Sequence, residues 1–234
     1  MYKRILLKLS GEQLSGKYES GIDAELASWI AEEVKKVATK GVQVVIMVGG
    51  GNYVRGAQIA GHGIKRVTGD HMGMLATMIN ALALTDIFEE DDVQTRCLSN
   101  IFAEQVAEPF VFRLANKHLQ SGRVVIVAGG IGRPYLTTDT AAVSLALEMD
   151  CDVVLKATKV DGVYTKDPAK HKDATRIEAM SFQQAVENSD IAVMDKAALG
   201  LAMEHNMPVI VFDAMQADSL LNVSQGQKVG TLIS

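Results

Sequence analysis

Short apolar runs rich in β-branched residues alternate along this chain of 234 residues with longer segments of helical period. Several of these runs are apolar at nearly every position, which is typical of strands covered on both faces. An alternation of strands and helices favours a mostly parallel sheet with helices on both sides. The predicted strands cover residues 3–9, 42–48, 93–98, 123–128, 152–156 and 208–212.

The clearest helix begins after Asp23, a suitable N-cap, and ends before Gly41. Leu26, Ile30 and Val34 recur along one face of this helix at the spacing of an amphipathic segment. Together with the strands, such helices predict a three-layer α/β/α sandwich around a central, mostly parallel sheet. Further helices are expected near residues 71–88, 110–119, 140–149 and 196–205.

The composition is that of a folded chain, with 48% hydrophobic residues and no long polar tract. At this length a chain buries enough surface to fold without disulfides or a structural metal. No linker rich in proline or serine divides it, so we predict a single domain over residues 1–234. The net charge of −5 argues against nucleic acid and anionic membranes as partners.

The number of cysteines and the length of the apolar runs indicate the cellular compartment. Cys97 and Cys151 are too few for a disulfide framework. Lys8 interrupts the first apolar run, and no stretch approaches the roughly 18 apolar residues of a membrane span. We therefore expect a cytoplasmic protein without a signal peptide or a membrane-spanning segment.

Glycines and charged residues gather where the predicted strands end. KLSGE at 8–12 follows the first strand, and GGGNYVRG at 49–56 follows the second. GGIGRP at 129–134 and KATKVDGVYTKDP at 156–168 follow two later strands. In open α/β sheets, ligands bind outside the carboxyl ends of the strands, so these loops are expected to share one rim.

The chemistry of that rim suits phosphate. Consecutive glycines leave backbone N–H groups unobstructed and permit positive φ, while Lys8 and Arg55 can neutralise anionic charge. Alone, a strand-end glycine pair is usually a turn, and a lone lysine is usually a solvated residue. Their joint placement at successive strand ends predicts a phosphate-binding site.

Widespread nucleotide motifs do not account for this site. The P-loop pattern fails because Tyr18 follows Gly16 and Lys17 where serine or threonine is required. The GxGxxG pattern fails at Val54 and at Tyr135, and the protein-kinase motifs are missing. The sequence therefore predicts neither a P-loop NTPase nor a typical Rossmann dehydrogenase.

Five motifs together resemble the bacterial uridylate kinases (UMP kinases) of the amino acid kinase superfamily. They are KLSGE, GGGNYVRG, GDHMGMLAT at 69–77, TTD at 137–139 and KATKVDGVYTKDP. The resemblance runs from Tyr2 to Ile233. It implies the amino acid kinase fold and transfer of the γ-phosphoryl group of ATP to UMP, giving UDP in pyrimidine nucleotide biosynthesis.

The resemblance also implies roles for individual residues. Lys8, Arg55 and Asp139 would be catalytic, and Mg²⁺ would be carried by the ATP phosphates without dedicated protein ligands. The N-terminal part would form mainly the UMP side and the C-terminal part mainly the ATP side. The implied ATP-binding residues are Lys8, Leu9, Ser10, Gly11, Gly51, Arg55, Thr158, Tyr164 and Asp167. The implied UMP-binding residues are Gly50, Asp70, Ile131, Gly132, Arg133, Pro134, Tyr135, Leu136, Thr137 and Thr138.

Some of these residues have simpler explanations. Asp70 could merely cap a helix that begins near His71, and Asp139 could likewise be an N-cap. His71 and Met74 are expected to be packing residues. Asp195 stands where many relatives in the superfamily use a second lysine, which leaves the second positive charge to Arg55 and Mg²⁺.

Lys196 directly follows Asp195. Helical geometry turns it about 100° away from Asp195, so Lys196 is expected at the surface.

Regulation and assembly follow from the resemblance alone. It implies a homohexamer that is activated by GTP and inhibited by UTP. The region 89–112 departs from better-known members of the family, and its acidic stretch at 89–92 could simply be a solvated helix end. The residues that match family effector positions are Gly16, Lys17, Tyr18, Glu19, Ser20, Gly21, Asp86, Arg96 and Arg123.

Two other functions remain open on the sequence. The fold could serve a kinase that phosphorylates a carboxylate or a carbamate, although Asp70 and the loop at 131–138 favour a nucleotide acceptor. It could also serve a nucleotide-binding regulator or an oxoanion store without turnover. The joint presence of Lys8, Arg55, Asp70 and Asp139 favours an active enzyme.

Overall fold

A computed structural model describes residues 1–55, 63–166, 168, 170–188 and 193–234. Its central sheet joins nine strands in the order β4-β3-β5-β2-β1-β6-β10-β11-β9, and β7 pairs with β8 in a separate hairpin. The strands are β1 Arg4–Leu9, β2 Gln43–Val48, β3 Thr95–Ser99, β4 Glu108–Pro109, β5 Val124–Ala128, β6 Val153–Thr158, β7 Val163–Tyr164, β8 Arg176–Ile177, β9 Ala179–Met180, β10 Val209–Asp213 and β11 Thr231–Ile233.

Helices cover both faces of this sheet. Within the described ranges they are α1 Gly11–Leu14, α2 Ala24–Ala38, α3 Arg66–Glu90, α4 Phe112–Gln120, α5 Thr138–Glu148, α6 Phe182–Glu187, α7 Lys196–Glu204 and α8 Ser219–Ser224. The predicted α/β sandwich with a mostly parallel sheet is therefore confirmed.

The register of the central strands sets the geometry of the rim. β1 lies between β2 and β6 and is parallel to both. Lys8 stands opposite Met47 on one side and Lys156 on the other. β11 runs antiparallel to β10, a departure from the otherwise parallel pattern of the large sheet. Two lysines thus reach the same edge of the sheet on adjacent strands.

Alternation along the strands divides the core into two layers. Ile5, Leu7 and Leu9 pack in the layer that contains α2 and α3, whereas Leu6 faces the layer of α5 and α7. Because successive side chains of a strand point to opposite faces, Lys8 belongs to the second layer. Its side chain is thereby directed towards the beginning of α5.

The long helix α3 lies against the sheet. By length and composition it is apolar enough to cross a membrane, but 44% of its most apolar window is buried inside the protein. Ala81, Leu84 and Phe88 are fully buried in the first core layer, which is typical of a core helix. Leu75 and Ile79 lie on its opposite, exposed face.

Two helix starts differ from the sequence prediction. α3 begins at Arg66, so Asp70 lies inside the helix and the prediction that it could cap this helix is wrong. The N-cap of α5 is Thr137, whose hydroxyl accepts from the backbone N–H groups of Asp139 and Thr140. Asp139 is therefore a first-turn residue and not the cap, which frees its carboxylate for other contacts.

Candidate active site

A cavity of about 460 Å³ opens where β1, β2 and β5 end. Its walls come from the loops after these strands and from the first turns of α3 and α5. The predicted site residues that line it are Lys8, Ser10, Gly11, Gly50, Gly51, Arg55, Asp70, Ile131, Arg133, Leu136, Thr137 and Thr138. The structure thus brings most of the predicted phosphate and acceptor residues into one place.

The loop after β2 that contains Gly49, Gly50 and Gly51, here called the glycine loop, has no room for larger side chains at several positions. A Cβ added to Gly50 would lie 2.7 Å from the carbonyl oxygen of Gly73 in α3, and one added to Gly11 would lie 2.6 Å from the backbone nitrogen of Gly51. Gly50 and Gly51 are not among the glycines with positive φ, so this loop does not use the left-handed conformation that consecutive glycines permit. Close packing against α1 and α3 is the physical reason for the glycines.

Two buried asparagines, Asn52 and Asn80, fix the glycine loop by hydrogen bonds. The Asn80 side-chain amide donates to the carbonyl oxygen of Gly49 at 2.7 Å and to Asn52 Oδ1 at 2.7 Å. Asn52 in turn donates to Gly21 and to Asn80 Oδ1. Both asparagines are buried, so these hydrogen bonds fix the floor of the cavity.

A buried charge cluster lies beside the cavity. Lys8 Nζ lies 2.7 Å from Asp139 Oδ1, and Lys156 Nζ donates to Asp139 Oδ2 at 2.7 Å. Lys156 also donates to the backbone carbonyl of Val193. The side chains of Lys8, Asp139 and Lys156 are only 8%, 13% and 15% exposed, so water screens their charges weakly.

The protonation of this cluster follows from its surroundings. Burial, the largest influence on Asp139, opposes ionisation, but the attraction of Lys8 and Lys156 outweighs it and holds the pKa of the carboxyl below its usual value. For Lys156, burial lowers the pKa, Asp139 opposes this change and repulsion from Lys8 adds to it. With both lysines protonated, the three groups carry one net positive charge.

Lys156 is a residue of this cluster for which the sequence predicts no role. The sequence places it at the end of a strand and in the KATKVDGVYTKDP motif, and it predicts the second positive charge at Arg55 and Mg²⁺. The available signal was the parallel pairing of two strands that both carry a lysine near their carboxyl ends, Lys8 and Lys156. Recognising it requires knowing that strands far apart in sequence are neighbours.

Arg55 follows the glycine loop after β2 and lines the same cavity. Its guanidinium forms an ion pair with Glu12 in α1, and its side chain is 46% exposed. Lys8 and Arg55 therefore face the cavity in different states, one buried and one half exposed. Both are paired with a carboxylate, so each positive charge is held in place.

The loop before α5 is tied to α7. Asp195, the N-cap of α7, accepts from the hydroxyls of Thr137 and Thr140 and from the backbone N–H of Ala198. Lys196 is exposed, as expected from helical geometry. Asp195 therefore fixes the position of the loop, although it does not line the cavity.

The predicted acceptor side of the cavity is built around Asp70. Its carboxylate accepts from Arg66 Nε at 2.9 and 3.0 Å and from the backbone N–H of Tyr135 at 2.8 Å. Met74 is buried as expected, but it also lines the cavity, and His71 is exposed, which overturns its prediction as a packing residue.

The remaining predicted acceptor residues lie in the loop after β5, next to the lining residues. Gly132 has a φ of 71°, and a Cβ there would lie 2.9 Å from the carbonyl oxygen of Asn100, so only glycine fits. Pro134 and Tyr135 do not line the cavity, although the Tyr135 backbone contacts Asp70.

The predicted adenosine-side residues lie apart from this cavity. Thr158 ends β6 and donates to the carbonyl oxygen of Val160 at 2.7 Å, and the Tyr164 hydroxyl donates to Asp161 at 2.5 Å. Leu9 is fully buried, so only its backbone can meet a ligand. Asp167 lies outside the described residues.

The predicted effector residues do not form one group in this chain. Asp86 and Arg96 line a second cavity of about 400 Å³, where Arg96 pairs with Glu89 at 2.9 Å. Arg123 lines a different cavity and contacts His118.

The segment at positions 16–21 lies between α1 and α2, where it lines neither of these cavities. Within it, Lys17 pairs with Glu25 at 2.8 Å. The members of this segment are Gly16, Lys17, Tyr18, Glu19, Ser20 and Gly21.

The donor atoms of the cavity are compatible with a metal ion that arrives with a nucleotide. Among the described residues, no group of three or more histidine, cysteine, aspartate or glutamate side chains is arranged to hold a metal ion. Asp139 already contacts two lysines. Mg²⁺ binds readily through substrate phosphates and one or two carboxylates, which is all that this donor set offers.

Known proteins resemble this chain over nearly its whole length. A model of the amino acid kinase family matches residues 3–213. The uridylate kinase of Dichelobacter nodosus (strain VCS1703A) is 45% identical over 232 residues, which are 99% of this chain and 96% of that protein.

Solved structures of UMP kinases are similar in fold. That of Bacillus anthracis superposes with a TM-score of 0.94 at 37% identity, covering 100% of this chain and 96% of its own. That of Ureaplasma parvum superposes with a TM-score of 0.91 at 33% identity, covering 100% and 99%. The motifs, the glycine-lined cavity and these relatives agree that the chain belongs to the uridylate kinases of the amino acid kinase family.

Proposed function

We propose that this cavity transfers the γ-phosphoryl group of ATP to UMP, giving UDP and ADP. The observation that carries the proposal is the buried cluster of Lys8, Asp139 and Lys156 beside the glycine loop. Two anionic substrates must meet for this reaction, and a cluster with one net positive charge in a weakly screened setting lowers the cost of bringing them together.

The chemistry asks for placement and charge compensation. The attacking oxygen belongs to a phosphate whose second pKa is about 6, so at neutral pH it is largely unprotonated and needs no general base. Phosphoryl transfer then depends on holding the two phosphates in line and stabilising the charge that develops on the transferring group. Asp139 serves as the residue that orients two cations, and not as a proton acceptor.

On the donor side, Lys8 Nζ contacts the transferring phosphoryl group, and Lys156 completes the positive charge behind it. The backbones of Leu9 to Gly11 and of Gly51 cradle the ATP phosphates, and Arg55 clamps them with its guanidinium. Thr158, Tyr164 and Asp167 hold the adenosine. Mg²⁺ carried by the ATP phosphates would supply charge neutralisation there, without dedicated protein ligands.

On the acceptor side, Gly50 lies between the two phosphates and Asp70 accepts hydrogen bonds from the ribose hydroxyls of UMP. The loop at 131–138 frames the base and the phosphate. Arg133 contributes a cation here for which the described residues offer no ion-pair partner. The N-terminal part of the single domain thus forms mainly the acceptor side and the C-terminal part mainly the ATP side.

Self-association is part of the proposal. The outer face of α3 exposes Leu75 and Ile79, and the loop after β3 exposes Phe102 at 92% and Val106 at 54%. Exposed apolar side chains of this size are typical of contact surfaces between chains. We expect these side chains to be covered in a homohexamer. We also expect GTP to activate the enzyme and UTP to inhibit it. The reaction would take place in the cytoplasm, as a step of pyrimidine nucleotide biosynthesis.

A coupled assay of UDP and ADP formation tests the function. The purified protein is given MgATP with UMP, CMP, dUMP, glutamate or carbamate, each with and without an excess of chelator. UMP should be the preferred acceptor, and the chelator should abolish turnover. ADP formation with glutamate or carbamate instead, or binding of UMP without any UDP, would overturn the proposal in favour of the other kinase or of a regulator.

A further inference from the structure

Arg66 stands at the acceptor edge of the cavity, at the first residue of α3. Its Nε lies between the two oxygens of Asp70, at 2.9 and 3.0 Å. The Asp70 side chain is 13% exposed and also lines the cavity. Arg66 therefore contacts both oxygens of the proposed ribose-binding carboxylate at the edge of the cavity.

Helix stability does not favour this arrangement. A cation at the first residue of a helix lies at the positive end of the helix dipole, and the order of basic residue before acidic residue is the less favourable one for an i,i+4 pair. The N-cap Lys65 makes no side-chain capping hydrogen bond either. Orientation of the Asp70 carboxylate by Arg66 thus explains this pair better than stabilisation of α3.

Tyr135 contacts the same pair from the facing loop. Its backbone N–H donates to Asp70 Oδ2 at 2.8 Å, and its ring centroid lies 5.3 Å from the Arg66 guanidinium carbon. Tyr135 adopts a φ of 67°, a left-handed conformation that is costly for a residue with a Cβ. Strained backbone of this kind persists where the surroundings determine it, and it is concentrated at functional sites.

Asp70 keeps acceptor capacity for a donor from the cavity. A carboxylate offers about four lone-pair sites. Arg66 Nε contacts both oxygens and the Tyr135 N–H contacts Oδ2, so Oδ1 is the less occupied of the two. Asp70 lines the cavity, and a ribose hydroxyl is a donor from which this oxygen can accept.

We propose that Arg66 is a positioning residue that, together with the Tyr135 backbone, orients the Asp70 carboxylate for the 2′- and 3′-hydroxyls of the acceptor nucleotide. This inference rests on the proposed role of Asp70 in ribose binding. Arg66 acts through Asp70, and its removal leaves the carboxylate free to turn away from the ribose.

Steady-state kinetics of Arg66→Gln with UMP and dUMP test the proposal. The KM for UMP should rise about 10-fold, because a hydrogen bond to a charged group is weakened, while kcat and the KM for ATP stay within about 2-fold. The KM for dUMP should rise less, because dUMP lacks one of the hydroxyls that the oriented carboxylate recognises. Lys35→Gln is the matched control, since Lys35 forms a helix ion pair with Glu32 away from the cavity, and it should change none of these values.

A double-mutant cycle separates positioning from a structural effect. Asp70→Asn alone should raise the KM for UMP, and Arg66→Gln should add little in that background, because Arg66 acts through the Asp70 carboxylate. Should Arg66→Gln fail to fold, Arg66→Lys keeps the charge but lacks the Nε donor, and it is expected to raise the KM by a smaller factor.

The outcomes distinguish two failures. A rise with Asp70→Asn but not with the Arg66 variant, or effects that multiply in the double variant, would overturn the positioning role alone. An unchanged KM with Asp70→Asn would overturn the ribose-binding role of Asp70 and the inference with it. UDP formation by the unaltered protein is measured in the same series, so failure of the proposed reaction would be seen separately.

Discussion

Two charged clusters lie at or beside one cavity and differ in how they are built. Lys8, Asp139 and Lys156 project from adjacent strand ends and from a helix, and all three are largely buried. Arg66 and Asp70 lie on a helix at the cavity edge, where the Arg66 side chain is 40% exposed. The first cluster is held by strand register and the second by a helix turn and a facing loop.

Because the clusters differ in burial, we expect them to contribute to different kinetic constants. Buried charges are weakly screened by water and should act strongly on the phosphoryl group that is proposed to be transferred beside them, so they should govern kcat. Only Arg66 of the second cluster is half exposed, and it competes with water; the pair that it forms with Asp70 mainly supports binding of the acceptor, so this pair should govern the KM for UMP. Four predictions test this division, beginning with the largest expected effect.

Lys8→Met should lower kcat by about 1,000-fold, because it removes the cation next to the transferring group. The KM values should change much less. Stopped-time assays at saturating ATP and UMP measure the effect, and thermal unfolding shows that the variant is folded. Lys196→Met, which removes an exposed lysine, is the matched control, and a Lys8 variant within 10-fold of the unaltered enzyme would contradict the division.

Lys156→Met should lower kcat by about 100-fold and change the pH dependence. Asp139 is held ionised by two lysines, so it stabilises the fold above its unfolded pKa of 3.8, and this stabilisation is lost as the pH falls through the lower folded pKa. With one lysine gone, burial weighs more and the pKa of Asp139 rises, so the acid limit of activity and stability should move to higher pH. Activity and urea unfolding between about pH 3 and pH 8 measure this shift.

The alkaline limit of the unaltered enzyme gives a second readout of the same cluster. Burial lowers the pKa of Lys156 below its usual value of 10.5, so its charge is lost as the pH rises through that lower value. Activity of the unaltered enzyme should therefore decline before pH 10.5 is reached. The Lys156→Met variant should lack this part of the alkaline decline. An acid limit of activity and stability at the same pH in Lys156→Met would mean that the pKa of Asp139 does not depend on this lysine.

Arg55→Ala should lower turnover at saturating substrates by about 10- to 100-fold, because a charged hydrogen-bond donor to phosphate is lost. Arg55 is half exposed but lines the cavity in which the phosphates are proposed to bind, so it tests whether burial or position decides the division. An unchanged rate with a raised KM for ATP would assign Arg55 to binding alone.

Asp70→Ala should have the smallest effect on the chemical step. We expect the KM for UMP to rise about 10-fold and kcat to fall by less than that, because ribose contacts contribute mainly uniform binding. Initial rates across a range of UMP concentrations separate the two quantities. A large loss of kcat at an unchanged KM would place Asp70 with the reaction cluster.

Much of the fold could be predicted because its strands carry a strong local signal. The predicted strands correspond to β1, β2, β3, β5, β6 and β10, with small shifts at their ends. The sequence did not reveal β4, β9, β11 or the hairpin of β7 and β8, since segments of two or three residues carry too little periodicity. The sequence predicts α3 too short at its beginning because the true start, Arg66, follows Lys65, which makes no side-chain capping hydrogen bond.

The candidate site was predictable in its composition and less so in its contacts. The glycines and Lys8, Arg55, Asp70 and Asp139 were singled out, and most of these residues line or adjoin one cavity. Their partners were not foreseen, because the contact of Lys156 with Asp139 and that of Tyr135 with Asp70 join residues of different elements. The roles of all these residues remain predictions for the variants above.

Sequence alone determined the alternation of strands and helices, and with it the sheet whose loops gather at one rim, because side-chain periodicity is a local property. It also determined that those loops carry glycine and positive charge. Only the tertiary structure decided that Lys156 stands beside Lys8 and that Arg66 begins a helix in contact with Asp70. The register of distant strands and the start of a helix without a cap depend on packing across the whole core, which no local pattern records.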